Sequence, residues 1–465
     1  MSSYSGDMRR CMLMKMAETS SGVCYAESIP PILSMAMDHL FAILLLLPVD
    51  ALISLALTCK KLHSVATSDS LWEHICKRDW GFASVEYLKK FISVGRIDRS
   101  GLTWAKIYVL IAKLGSISCQ KLLVEGSASD LPEPRASHSF NLLSGCLVLF
   151  GGGSSGGRHL DDTWVARINS MNKEALIWNR VQQAGTPSGR FGHTCVVIGD
   201  CLVLFGGIND RGNRHNDTWI GQLVKDETSG ITFSWRLLNV GTITPPPRGA
   251  HGASFMDKKK MVIHGGIGIN GSRLGDTWIL DLSENLLFGN WWELTTPSPP
   301  PCSGHTLTRF KNSILLFGGR GSGYEVLNDV WILQSFEGEL NWTRLPFDVQ
   351  EVSFDLSRVG HSASVVIGER VLIFGGEDGV RNRKNDFWLL DANGFGCKPC
   401  GVREVDMVGF RPRTRSFHRA CSDESGRYVF LFGGMVDGHL EPAETSALSF
   451  DAEFFVVDLF SLLPK

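Results

Sequence analysis

LVLFGG at residues 147–152 returns as LVLFGG at 202–207, MVIHGG at 261–266, ILLFGG at 314–319, VLIFGG at 371–376 and VFLFGG at 429–434. The closing glycines, Gly152, Gly207, Gly266, Gly319, Gly376 and Gly434, lie 55, 59, 53, 57 and 58 residues apart. A period of this size marks a propeller or a related array. Four apolar residues without alternation describe a strand covered on both faces. The Gly-Gly that ends it supplies positive φ and a close approach of backbone to backbone.

The neighbourhood of each string is also periodic. Upstream lies Arg-x-x-His: Arg135/His138, Arg190/His193, Arg248/His251, Arg358/His361 and Arg415/His418, with Cys302 in the arginine place before His305. Downstream lies Asp-x-Trp: Asp162/Trp164, Asp217/Trp219, Asp276/Trp278, Asp329/Trp331 and Asp386/Trp388, reduced to Glu453/Phe455 in the sixth unit. A further tryptophan (Trp178, Trp235, Trp291 or Trp292, Trp342) opens a fourth strand. Four antiparallel strands in six units predict a mainly β chain folded as a six-bladed propeller. The sixth unit has no outer strand of its own. Cys119-Gln-Lys-Leu-Leu123 resembles Trp235-Arg-Leu-Leu238 and is expected to complete that blade from the other end of the chain.

These elements resemble the kelch motif, and the resemblance spans residues 118–460. Ahead of it the pattern changes. Leu40, Ile43, Leu44 and Leu47 have helical spacing, Pro48 breaks it, and Leu52, Leu55, Cys59 and Leu62 resume it. Ser70 and Glu73 read as a capping box opening a third helix. Leu102, Ile107, Ile111 and Leu114 predict a helix that docks on the propeller. Asp38, Leu40, Ile43, Leu44, Leu47, Pro48, Leu52, Cys59-Lys60, Leu71 and Trp72 follow the pattern of an F-box, a small all-α domain, placed at 35–81. Met35-Ala36 stands where the family opens with Leu-Pro, and Leu62 where it has tryptophan. The remaining assignments are a disordered segment at 1–34 and a helical linker at 82–117, of which 81–101 reads as mixed.

The F-box/kelch resemblance, of the type abundant in plants, implies the substrate receptor of a Skp–cullin–F-box ubiquitin ligase. The adaptor-binding residues it implies are Asp38, Leu40, Ile43, Leu44, Leu47, Pro48, Leu52, Leu71 and Trp72. A Skp-type adaptor, and through it a cullin, would be the partners on that side, and an unidentified protein substrate on the propeller side. The ubiquitin chemistry would belong to other subunits, so no catalytic residue, metal or cofactor is expected here. A kelch scaffold outside any ligase and a kelch-propeller enzyme are the competing readings. The enzyme is disfavoured because only Tyr324 and Tyr428 of six tyrosines fall in the repeats.

Composition agrees with these limits. With 46 basic and 48 acidic residues the formal charge is −2, which argues against a dedicated nucleic-acid binder. No apolar run approaches the 18 residues of a membrane span. The scattered cysteines, including the Cys397/Cys400 pair, read as reduced thiols of a cytoplasmic or nuclear protein. The once-per-blade histidines, aspartates and tryptophans read as parts of the blades rather than as a site. What does not repeat is the charge of the loops after Gly-Gly: Arg158; Arg211 and Arg214; Arg273; Arg320; Arg381, Arg383 and Lys384. These loops share one face, and their cations are the candidate substrate-binding residues, expected to converge on the channel mouth and to favour an acidic or phosphorylated segment.

Overall fold

Each LFGG string forms the second strand of a four-stranded antiparallel blade in the computed structural model, which describes residues 31–93, 102–124, 131–168, 175–181, 185–226, 230–345, 356–391, 401–437 and 448–460. Blade one is Ser139–Leu143, Cys146–Gly153, His159–Arg167 and Trp178–Val181. Blades two to four repeat this order from Thr194, Gly252 and Thr306. Blade five ends in Gly401–Glu404, an outer strand without the tryptophan of blades one to four. The LFGG strands are buried along their apolar length, and clusters such as Val148, Phe150, Leu202, Leu204 and Trp235 join one blade to the next.

The second glycine of each doublet is fixed by its own blade. At Gly152 φ is +104°, and a Cβ there would stand 2.8 Å from His138 Cβ. The first glycine touches the next blade: a Cβ on Gly151 would meet His193 Cε1, and one on Gly433 would meet His138 Cε1. The last blade therefore packs on the first as blade one packs on blade two.

Blade six closes across the termini. Its inner strands are Arg419–Ser422, Tyr428–Asp437 and Leu448–Asp458. The fourth is Ser116–Lys121, antiparallel to Leu448–Asp458 with Cys119 opposite Val457. A fifth strand not foreseen in the sequence, Asp406–Gly409, pairs parallel on its far side. Leu123–Val124 then pairs with Ala175–Leu176, tying the same segment to blade one. Deleting residues 118–124 removes the buried Cys119 and two ladders, and should lower the melting temperature by about 5–10 °C. An unchanged melting curve would refute the closure.

The chain divides into two units, Met1–Ile75 and Cys76–Lys465. The first holds α1 (Pro31–Ser34), α2 (Met37–Leu46), α3 (Val49–Ala56) and α4 (Lys60–Ala66). Its core is Leu40, Leu44, Leu52, Leu62, Val65 and Leu71. Lys61 Nζ donates to the carbonyls of Leu33 and Met35, fixing the end of α1. Residues 31–34 are thus helical rather than part of a disordered segment, while 1–30 lie outside the described residues. α5 runs Asp69–Trp80, so Ser70 sits inside the first turn and does not cap it. Ser68 precedes the helix instead, and its Oγ donates to Val65 O.

Within the second unit, α6 (Phe82–Ser93) takes the first part of the mixed linker expected at 81–101, of which 94–101 lie outside the described residues, and α7 (Trp104–Ala112) docks on blade five. Arg370 Nη2 donates to Ile111 O at 2.7 Å and Arg403 Nη2 to Ala112 O at 3.1 Å, two cations at the negative end of the helix. Tyr87 of α6 meets Tyr428 of blade six edge to face.

Candidate functional site

The recurring polar residues belong to the blades. Arg135, fully buried, makes a two-pronged pair with Asp162 at 2.6 and 2.9 Å and also donates to Gly151 O. Trp164 Nε1 donates to the same carboxylate. Burial by itself would raise the Asp162 carboxyl, but the Arg135 hydrogen bonds and charge bring it below the usual carboxylate range. Asp217 with Arg190 and Asp276 with Arg248 behave alike. In blade four, where Cys302 replaces the arginine, Asp329 pairs with Arg344 of the outer strand, and Trp331 Nε1 has no partner among the described residues. In blade six Arg415 pairs with both Asp451 and Glu453 and stacks on Phe455.

The x of Asp-x-Trp carries a signal that sequence reasoning missed. Trp235, Trp291 and Trp342 donate to Thr163, Thr218 and Thr277 of the preceding blade. The x position is Val330 in blade four and Phe387 in blade five, and the blades that follow these have no outer tryptophan. Phe454 holds the place in blade six, and Trp178 Nε1 of blade one has no partner among the described residues.

The six histidines pack between blades. Each ring meets the aromatic residue before the previous blade's Gly-Gly edge to face, from Phe374–His418 at 5.0 Å to Phe432–His138 at 5.5 Å. Burial first, with nearby arginine charges in most of them, holds these imidazoles below their ordinary value, His193 and His361 at about 3. They are locked, neutral packing groups.

The loop face differs from its sequence reading in two ways. First, the channel is pinched there. The residues before the histidines form a closed ring of backbone hydrogen bonds: Ser137 N to Phe417 O, Gly192 to Ser137, Ala250 to Gly192, Gly304 to Ala250, Gly360 to Gly304 and Phe417 to Gly360, at 2.6–2.9 Å. All six have φ between +54° and +69°, which explains three glycines among them. The Phe417 ring lies against Gly360 and Gly304, so the mouth is covered rather than open and concave.

Second, half of the predicted cations are neutralised. Arg158 pairs with Glu133, Lys384 with Asp378 at 2.8 Å, and Arg383 with both Glu377 and Asp437. Arg320 lies 3.9 Å from Glu377. Arg211, Arg214, Arg273 and Arg381 have no carboxylate partner among the described residues. The Arg273 guanidinium lies 4.5 Å over the exposed Tyr324 ring and its Nε donates to Ser303 Oγ. The contacts Arg273–Tyr324, Arg320–Glu377 and Arg383–Asp437 join the loops of blades three to six into one continuous surface.

On the helical unit the nine residues predicted for the adaptor separate. Leu40, Leu44, Leu52, Leu71 and Trp72 are buried, and Trp72 Nε1 donates to Ala66 O. Asp38 and Pro48 are exposed; Ile43 and Leu47 are half-buried. The exposed apolar residues are others: Leu46 and Leu57, each 82% accessible, Ile53 at 52%, and Met35 and Met37. Ile53 and Leu57 stand four apart on one helical face.

A model described as the KLHDC2/KLHL20/DRC7 Kelch-repeats domain matches residues 81–303, 228–393 and 304–451, and an F-box-like model matches 38–78. The chain is 50% identical, over 96% of both lengths, to the F-box/kelch-repeat protein At1g51550 of Arabidopsis thaliana. It is 30% identical to Adagio-like protein 3 of Oryza sativa subsp. japonica over 82% of this chain and 57% of that one. A solved structure of YjhT aligns with a TM-score of 0.50 at 14% identity over 70% of this chain and 95% of that one, a likeness of fold alone.

Proposed function

Since the chain belongs to the F-box/kelch-repeat family, we propose that it is the substrate receptor of a Skp–cullin–F-box ubiquitin ligase, non-catalytic itself, working in cytoplasm or nucleus. One observation carries the reading. Within the F-box-like match, Leu46, Ile53 and Leu57 face solvent while a full apolar core lies beneath them. A helical unit this small does not spend its largest side chains on water unless a partner covers them. The adaptor docks there and brings the cullin. The propeller holds a protein substrate near the charged conjugating enzyme, so its contribution to rate is effective concentration.

Quantitative co-purification of the full chain with a Skp-type adaptor tests the reading directly. A wild-type protein that retains no adaptor removes the ligase assignment and leaves a kelch scaffold.

On the substrate side, the unpaired cations Arg211, Arg214 and Arg381 favour an acidic or phosphorylated segment, lying across the loops rather than entering the axis. Arg211→Ala, Arg214→Ala and Arg381→Ala together should weaken substrate capture, and wild-type capture should fall as salt rises. Capture that ignores both salt and the triple change would eliminate the electrostatic contribution.

A further inference from the structure

The residue after each histidine opens the innermost strand and lines the propeller axis just below the hydrogen-bonded ring. In five blades it is small: Ser139, Thr194, Gly252, Thr306 and Ser362. In the sixth it is Arg419. Its Nε donates to His138 O at 2.9 Å. Nη1 and Nη2 have no partner among the described residues, and no described carboxylate pairs with it. Its charge contributes to the depressed imidazoles of blades one, two, three, five and six, which places the guanidinium near the axis.

The histidine beside it is an orphan as well, as His193 is next to Ser139. Thr194 Oγ1, Thr306 Oγ1 and Ser362 Oγ bond Nε2 of the next blade's histidine, His251, His361 and His418, at 2.8–3.0 Å. For His138 the corresponding residue is Arg419, which offers no acceptor. His138 is fully buried, and both its ring nitrogens are unpartnered among the described residues. An uncompensated cation beside a buried imidazole whose N–H has no partner sets two donors side by side, and a small anion would accept from both.

We propose that the propeller axis holds a small monovalent anion, of halide size, between the Arg419 guanidinium and the His138 imidazole N–H. The ring and Phe417 close the axis toward the loop face, so an extended peptide laid across the loops does not reach this site. Its role is to complete the seam between blades six and one, where the chain termini meet. The site is independent of the ligase reading.

Bromide is the probe. Crystals of the full chain soaked in bromide should show an anomalous peak within hydrogen-bond reach of Arg419 Nη and His138. In solution, wild-type protein moved from a halide-free gluconate buffer into bromide should gain about 2–4 °C in melting temperature. Arg419→Ser, which installs the residue of blade five, should gain nothing from bromide. No anomalous peak at the axis in wild-type crystals, or an equal bromide response in wild type and Arg419→Ser, overturns the proposal. The crystallographic arm needs no variant and decides the question even if Arg419→Ser fails to fold.

Discussion

Leu46→Arg combined with Leu57→Arg is expected to abolish co-purification with the Skp-type adaptor while leaving the melting curve in place. Both side chains are 82% accessible, so neither supports the fold. Covering one leucine at an interface contributes about 1.5–3 kcal/mol. Forcing an unpaired guanidinium into the same contact costs several more. Two such changes exceed about 4 kcal/mol, a loss of roughly 1,000-fold in affinity. Leu44→Arg and Leu52→Arg are the contrasting pair. Each of those leucines is 1% accessible, so arginine there breaks the helical core, and lost binding would report unfolding. The diagnostic result is a folded Leu46→Arg/Leu57→Arg protein without adaptor. Undiminished adaptor binding by that protein would place the interface elsewhere.

The second large effect is acid lability of the propeller. His138, His193, His251, His264, His305, His361 and His418 are buried, and burial holds each imidazole below its ordinary value of 6.5. Their folded-state pKa values lie below the unfolded ones, His193 and His361 at about 3 and His264 at about 4. As pH falls through 6.5 the unfolded chain takes up protons that the folded chain refuses. Stability is therefore full above about pH 6.5 and is lost progressively as pH falls toward the folded values. Each histidine contributes about 1.4 kcal/mol per pH unit in that window, so seven acting together remove a typical folding free energy by about pH 5. Asp162, Asp217 and Asp276, held low by their arginines, add a further loss only at more acidic pH. Melting temperature against pH should fall steeply between 6.5 and 5. A flat profile across that range would show that the imidazoles titrate freely.

The sequence alone determined whatever repeats. Six Gly-Gly doublets specify six places where backbone must meet backbone at positive φ, and the apolar run before each specifies a strand covered on both faces. The orphan at 119–123 could be paired with blade six because its pattern matches the other outer strands. The structural role of the histidines followed from recurrence, since a residue needed in every blade serves the blade. Even the link between Thr163, Thr218 and Thr277 and the next blade's tryptophan was written in the string, as a threonine present before Trp235, Trp291 and Trp342 and replaced by Phe454 before Trp178.

Tertiary structure decided whatever breaks the repeat. Helical spacing finds the apolar residues of α2 and α3 but does not say which face the core takes. It grouped Leu44 with Pro48, although the first is buried by α4 and the second faces water. Counting arginines in the loops could not reveal that Glu133, Glu377, Asp378 and Asp437, from other positions in the chain, neutralise Arg158, Arg383 and Lys384. Nor could it show that a ring of backbone hydrogen bonds and the Phe417 side chain cover the channel mouth. Arg419 stood in the sequence as one more basic residue. Only closure of the ring, which brings blade six against His138, made it a cation without a counter-charge. Pairing between distant segments is fixed by packing, and packing depends on which faces are already occupied.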